Sequence, residues 1–328
     1  MANEHSNRAL YAGVLGILRR EPRQRWPVVL AELYHPDVDW NGPHPINSQR
    51  GLPAVMSAFW APLIAALPDL ERYDDIIIEG QFKGGDWIGA TGHYTGTFMH
   101  DWLGIPATGK VINIRYGEFS RFENGKIVEV YIILDILDVM RQAGRWPARI
   151  PRARGSEERI PGPSTHDGIR LRKPGVDESE VSLKLVEAMI AGLMTYDGNS
   201  LDSMGMERFW NIEGMMWYGP AGIGTSRGLK GFQDVHQRAF LAAFPDRVGG
   251  NHKARIAHDA YVGSTGWPSI RATHLGPWMG VPASGKPITQ RVMDFWRREG
   301  DELVENWVFI DQLDLLLQLG VDIMDEFR

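Results

Sequence analysis

The sequence predicts an α+β fold written twice in tandem, each copy a group of helices followed by an antiparallel sheet. Three observations predict it. The 328-residue chain repeats itself in a persistent register. Trp40, Gly42, Pro43, Arg50, Gly51, Leu52, Pro68 and Asp69 meet Trp217, Gly219, Pro220, Arg227, Gly228, Leu229, Pro245 and Asp246 at one constant offset. Gly104, Pro106, Gly109, Lys110, Arg115, Phe119, Glu129, Asp135 and Asp138 meet Gly280, Pro282, Gly285, Lys286, Arg291, Phe295, Glu305, Asp311 and Asp314 at another. Chance does not hold a register through so many identities. In each copy the helical runs come first and the strand runs follow, an order that fits an antiparallel sheet rather than alternating βαβ units.

The elements follow in order. RALYAGVLGILRR opens the first copy and SEVSLKLVEAMIAGLM the second, with Gly198 placed as a helix-stopping glycine. A short helical stretch leads to Tyr34 or Trp210, then a Gly-Pro segment. A third helix runs over 52–66 or 229–243 and ends at Leu-Pro-Asp or Phe-Pro-Asp. The strands of copy one read DDIIIEG, DWIGATGHYTG, VINIRYGEFSRF and KIVEVYIILD, the last two joined by the hairpin turn Glu123-Asn124-Gly125. Copy two repeats them as ARIAHDAYVG, WPSIRATHLG, ITQRVMDFWRR and ELVENWVFID. Aligned this way, Trp87 meets Trp267, and Met99 to Leu103 form an insertion in copy one. The domains are 1–144 and 177–328. Between them, 145–176 is rich in Pro and Arg without apolar periodicity, which predicts an extended, solvated tether.

Composition narrows the function. A formal charge of -6 disfavours a nucleic-acid partner. The absence of cysteine removes disulfides, thiolate metal sites and a Cys nucleophile, and fits a reducing cytoplasm. No apolar run has the length of a membrane span, and MANEHSNRAL lacks the basic start and apolar stretch of a secretion signal. A cytoplasmic protein is expected. GIPATGK and GVPASGK match part of a phosphate-binding loop. They lack the Ser or Thr after the Lys, contain a Pro, and precede a strand rather than a helix. Each is better read as a turn between strands, with Gly109 and Gly285 free to take positive φ. No histidine spacing suggests a metal site and no G-x-S-x-G elbow is present.

THLGPWMGVPASGK, the strand with Arg291, and ENWVFIDQLDLLLQLG together resemble the SnoaL-like polyketide cyclase (ester cyclase) family. The first copy resembles it in GIPATGK, NGKIVEVYIILD and RQAG. The resemblance covers about 34–144 and 210–320. It implies the nuclear transport factor two-like fold, a curved sheet wrapped on helices into a cone with a deep apolar pocket. It also implies cofactor-free intramolecular aldol cyclisation, with an Asp at the end of the E-x-W strand as acid and base. That position is Asp135 or Asp311. The family His is His274; in copy one the aligned residue is Tyr94, with His93 beside it. Trp87 and Trp267 stand where the family often carries an Arg. The lobes are expected to pack sheet to sheet as an internal pseudo-dimer, and whole chains to pair further.

Positions two apart on a strand share a face. Glu305, Trp307, Phe309 and Asp311 therefore form one row, and Glu129, Tyr131, Ile133 and Asp135 another. Asp294 and Glu118 lie on the face opposite to Arg291 and Arg115. An acid ending an aromatic row suits proton abstraction beside a carbonyl, with His274 or an Arg at the developing enolate oxygen. Trp307, Tyr131, Trp267, Trp87, Arg291, Arg115 and Tyr94 are candidate contacts for an apolar carbonyl substrate. Other roles stand beside these: Asp135 and Asp311 as helix caps, His274 as a structural histidine, the arginines as partners of strand acids, and the tryptophans as core. A hydrolase, dehydratase or isomerase on the same fold, and a non-catalytic binding protein, are the rival functions.

Overall fold

The computed structural model describes residues 7–327 of the chain, so the polar start read for a missing secretion signal, residues 1–6, lies outside the described residues. In the first lobe α1 (Asn7–Leu18) buries Tyr11, Val14, Leu15 and Leu18, the one-sided spacing of a helix on a core. Then come α2 (Trp26–Leu33), β1 (Tyr34–Asn41), β2 (Ser48–Arg50) and α3 (52–66). The sheet is completed by β3 (Glu71–Phe82), β4 (Gly85–Thr97), β5 (Val111–Glu123) and β6 (Lys126–Leu134), and α4 (Ile136–Gln142) follows. The second lobe repeats this. It runs α5 (Val176–Leu193), β7 (Met216–Tyr218), β8 (Thr225–Arg227), α6 (228–243), β9 (Val248–Gly249), β10 (His252–His258), β11 (Tyr261–Thr273), β12 (Pro287–Glu299), β13 (Glu302–Ile310) and α7 (Gln312–Leu319).

Strand order is β2-β1-β6-β5-β4-β3 in one lobe and β10-β11-β12-β13-β7-β8 in the other. Both sheets are curved and open rather than closed barrels. Each carries one parallel pair, β1 with β6 and β13 with β7, where only antiparallel pairing is predicted. The run 254–263, read as one strand, turns at Asp259-Ala260 and belongs to two. Asn124 and Gly125 take positive φ in the hairpin, and Gly109 and Gly285 do so in the Gly-Pro turns.

Strand pairing also corrects the alignment of the two copies. Phe98 N bonds Lys110 O at 2.9 Å, and His274 N bonds Lys286 O at 2.9 Å. Phe98, not Tyr94, is thus the counterpart of His274, and 99–103 is no insertion. Tyr94 lies opposite Ile114, as Ile270 lies opposite Gln290. Trp87 faces Arg121 and so corresponds to Tyr261, which faces Arg297. Trp267 instead sits in a β11 bulge, between Gly266 and Ile270, that has no equal in β4.

The even and odd faces of the strands go to different places. One face of each sheet covers its own helices. The other packs against the opposite sheet, where Phe119 stacks on Phe295 with centroids 5.2 Å apart and Trp307, Phe309, Tyr131 and Ile133 are buried. Gly117 permits the approach, since a Cβ there would stand 2.9 Å from the Phe309 ring. Residues 145–176 do not float as a tether. Ser156 bonds the backbone of Thr225, Pro161 O accepts from Trp307 Nε1 at 2.9 Å, and Gly168 and Arg170 pair with Ile77. The segment straps both lobes because its backbone donors and acceptors find strand edges to pair with.

Candidate active site in the second lobe

A cavity of about 270 Å³ opens between α5, α6 and the concave face of the second sheet. Its walls are apolar and aromatic, with Trp217, Phe232, Phe240 and Trp296 among them. Alternation along β12 and β13 turns Gln290, Asp294, Asn306 and Val308 toward it and their neighbours toward the seam between lobes. Within α6 a single π-turn at Gln233–Gln237 carries His236 and Gln237 to the wall. Such turns shift the helical register locally and recur at functional sites.

Among the described residues Asp294 is the only carboxylate lining this cavity. Asn306 Nδ2 donates to its Oδ1 at 3.3 Å and to Phe295 O at 3.1 Å. Burial pushes the carboxyl up to about 7, against the weaker opposing effects of that hydrogen bond and of the Arg255 charge. The His236 imidazole is pushed down to about 3 by burial alone. Burial also lowers His252 and the Arg247 guanidinium at the rim. Among the described residues several buried polar atoms of the wall have no protein partner: both amide atoms of Gln237 and of Gln290, Nδ1 of His236 and Nε1 of Trp296. Buried polar groups are nearly always paired, so this wall is equipped for a polar guest.

The first lobe has the same cone, filled. Glu118 takes the place of Asp294, and Tyr116 that of Val292. Phe59 and Trp60 replace His236 and Gln237, and Arg72, opposite Tyr94, replaces Gly249, opposite Ile270. Arg72 bonds Asp74 at 3.0 Å, Glu118 at 3.2 Å, Tyr94 at 3.3 Å and Tyr11 at 2.6 Å, and its guanidinium lies 4.4 Å from the Tyr116 ring centroid. Tyr11 in turn donates to Glu118 at 2.7 Å. These side chains are buried and hydrogen-bonded to one another, and they occupy the place that the second lobe leaves open.

The residues predicted from the E-x-[WY] strands lie elsewhere. Asp135 and Asp311 do not line the cone; both sit in the seam and cap the following helix, accepting from Asp138 N and Asp314 N at 3.2 Å each. Each also reaches across, Asp135 to Ala221 N at 2.9 Å and Asp311 to His44 N at 3.1 Å. Burial, with Asp138 or Asp314 adding to it, pushes them up to about 6 and about 7. Arg291 pairs with Asp311 at 3.0 Å and lies over the Trp267 ring. Its counterpart Arg115 leaves Asp135 and donates to the carbonyls of Tyr218, Gly219 and Val308. Trp307 stacks on Tyr218 and Trp87 on Tyr131, all in the seam. His93, Arg115 and Asp135 share a small seam cavity of about 60 Å³. Tyr94 is locked in the Arg72 network. His274 is fully buried against Phe244, with Nδ1 accepting from Ser284 N at 3.2 Å, and it pins the GVPASGK turn.

Strand parity decides these positions: the face bearing Glu305, Trp307 and Asp311 is covered by the tandem partner and does not line the large cavity of the second lobe. The signal for the other face was present: Gln290, Asp294 and Asn306 are polar residues at core positions of apolar strands.

Two segments of the chain, 21–143 and 199–319, match the model of the SnoaL-like polyketide cyclase family. Together they span well over half the sequence, and the chain belongs to that family as two tandem copies. Among solved structures, IdmH, a putative polyketide cyclase from Streptomyces antibioticus, is similar at 23% identity over 43% of this chain and 99% of its own, with a TM-score of 0.36. A putative SnoaL-like polyketide cyclase from Jannaschia sp. CCS1 is similar at 19% identity over 43% and 95%, TM-score 0.35. AclR, a putative hydroxylase from Streptomyces galilaeus, is similar at 22% identity over 43% and 97%, TM-score 0.35. No curated protein matches the chain significantly. Among the described residues no helix is long and apolar enough to cross a membrane.

Proposed function

We propose that the second lobe is an acid–base enzyme for a small or medium apolar carbonyl compound, with intramolecular aldol cyclisation as its reaction and Asp294 as the proton-transferring group. The observation that carries this is a lone carboxyl in an apolar cavity, steadied by Asn306 and pushed up to about 7. A base with that value is half ionised near neutral pH, the condition for taking a proton and returning it in one cycle. The first lobe, with its cone filled, contributes the surface on which the second lobe's sheet rests. Assignment to Asp294 replaces the assignment to Asp135 and Asp311, whose oxygens are already spent on helix caps and on the opposite lobe.

Turnover of a panel of di- and polycarbonyl compounds, followed by mass spectrometry, tests the proposal. A product of unchanged mass marks aldol closure or isomerisation, which its NMR spectrum separates by the new ring, and gain or loss of water marks a hydrolase or dehydratase. kcat/KM is expected to rise through about pH 7 as Asp294 ionises. Asp311→Ala is expected to cost about 1–2 kcal/mol of stability, for a lost cap and a lost cross-lobe bond, with turnover within a fewfold of wild type. Thermal melts and initial rates on the same preparation check both. A collapse of turnover in a folded Asp311→Ala protein would return the chemistry to the seam.

A further inference from the structure

The π-turn of α6 presents a group whose position in the cavity is unexplained by packing alone. His236 stacks on Trp217 with centroids 4.7 Å apart and planes 16° apart, and on Phe240 at 5.3 Å; Trp278 meets its edge at 5.9 Å. Among the described residues neither ring nitrogen has a hydrogen-bond partner, and Nδ1 is sealed from water. The first lobe keeps the same π-turn at Met56–Trp60 and solves the same packing problem with Phe59, whose ring meets Trp40 at 5.1 Å. A phenyl ring therefore suffices for the fold, and the imidazole adds only its two nitrogens.

We propose that His236 is a catalytic residue of this site: its Nε2–H donates to the carbonyl oxygen of the substrate while Asp294 removes a proton from the adjacent carbon. This rests on the assignment of proton transfer to Asp294. The tautomer follows from burial. An unpaired N–H inside the protein is costlier than an unpaired lone pair, so the proton belongs on the nitrogen that is not sealed, Nε2. Stacking on Trp217 and Phe240 fixes the ring plane, which pre-aims the donor.

The balance of the step is simple. The C–H electron pair moves into the carbonyl as its proton goes to the Asp294 carboxylate. The enolate oxygen is then held by the His236 N–H without proton transfer. The enolate carbon attacks a second carbonyl of the same molecule, and the new alkoxide takes the proton back from Asp294. The low proton affinity of the buried His236 ring keeps it neutral, a hydrogen-bond donor without formal charge. Gln237 and Gln290, with unpaired amides in the same wall, remain for the second carbonyl.

2-Naphthol, a planar enol mimic, tests this through its own fluorescence. Wild-type protein is expected to bind it. His236→Phe, which copies the first lobe, is expected to bind about tenfold or more weakly, because one ligand oxygen loses its donor. His236→Gln, which keeps an N–H, is expected to recover most of the affinity. Binding by His236→Phe within about twofold of wild type would overturn the assignment. Should that variant lose its fold, His236→Gln against His236→Met makes the same comparison. The Asp294 assignment fails separately: it predicts that wild-type affinity changes through about pH 7 and that Asp294→Asn shows no such change. An identical pH response in both would sink it whatever His236 does. No binding by the wild type at millimolar 2-naphthol would overturn both.

Discussion

Asp294→Asn is expected to lower turnover by about 100- to 10,000-fold, the usual contribution of a positioned acid–base group, while making the protein more stable above neutral pH. The second half follows from linkage. The folded-state value of about 7 lies above the ordinary 3.8, so folding favours the protonated form. Below about pH 4 the carboxyl is protonated in both states and costs nothing. As pH rises to about 7 the unfolded chain ionises while the folded one resists, and stability falls; above that the loss is constant. At about 1.4 kcal/mol per pH unit of displacement, discounted for the water the cavity admits, the loss is about 1–3 kcal/mol. An amide can keep the bond to Asn306 without the charge. The variant should therefore melt a few degrees above wild type near pH 8 and level with it near pH 4. Differential scanning calorimetry at the two pH values checks this, and equal destabilisation at both would contradict it. Such an exchange of stability for activity is common where a charged group is held in an apolar site.

Arg72→Ala is expected to have the largest effect on the fold. It strips the guanidinium from Asp74 and Glu118, both buried with it, and leaves two carboxylates facing three tyrosines. Breaking a buried ion pair from one side costs about 3–5 kcal/mol, because the Glu118 charge is left without a cation and Asp74 keeps only the half-exposed Arg19, at 3.5 Å. The second lobe carries Gly249 at the matching place and keeps its cavity. The same truncation is therefore structural in one lobe and native in the other. Chemical denaturation should show the first lobe unfolding at lower denaturant. A melt within about 1 kcal/mol of wild type would mean the network is not what fills the cone.

Most of the fold is legible in the sequence because it rests on local rules. The hairpin at Asn124-Gly125, the glycines of the two Gly-Pro turns and the helix limits at 52–66 follow from residue type and period. β1 and β7 are less legible, since each pairs in parallel with a strand far along the chain, a contact that leaves no local signal. The site is harder still. Trp307 and Asp294 stand on opposite faces by parity alone, but which face is the pocket depends on where the other lobe docks, and no local pattern encodes that. Apolar rows at Trp307-Phe309 and Tyr131-Ile133 fit a ligand wall and a lobe–lobe seam equally well. The π-turn is similarly hidden, because QDVHQ carries no Gly or Pro to mark a change of register.

A crystal structure of the chain with 2-naphthol bound locates the working site most directly. One molecule per chain, in the second lobe between Trp217, His236 and Asp294, is the predicted result. A ligand in the seam beside His93 and Asp135, or one in each lobe, would contradict it.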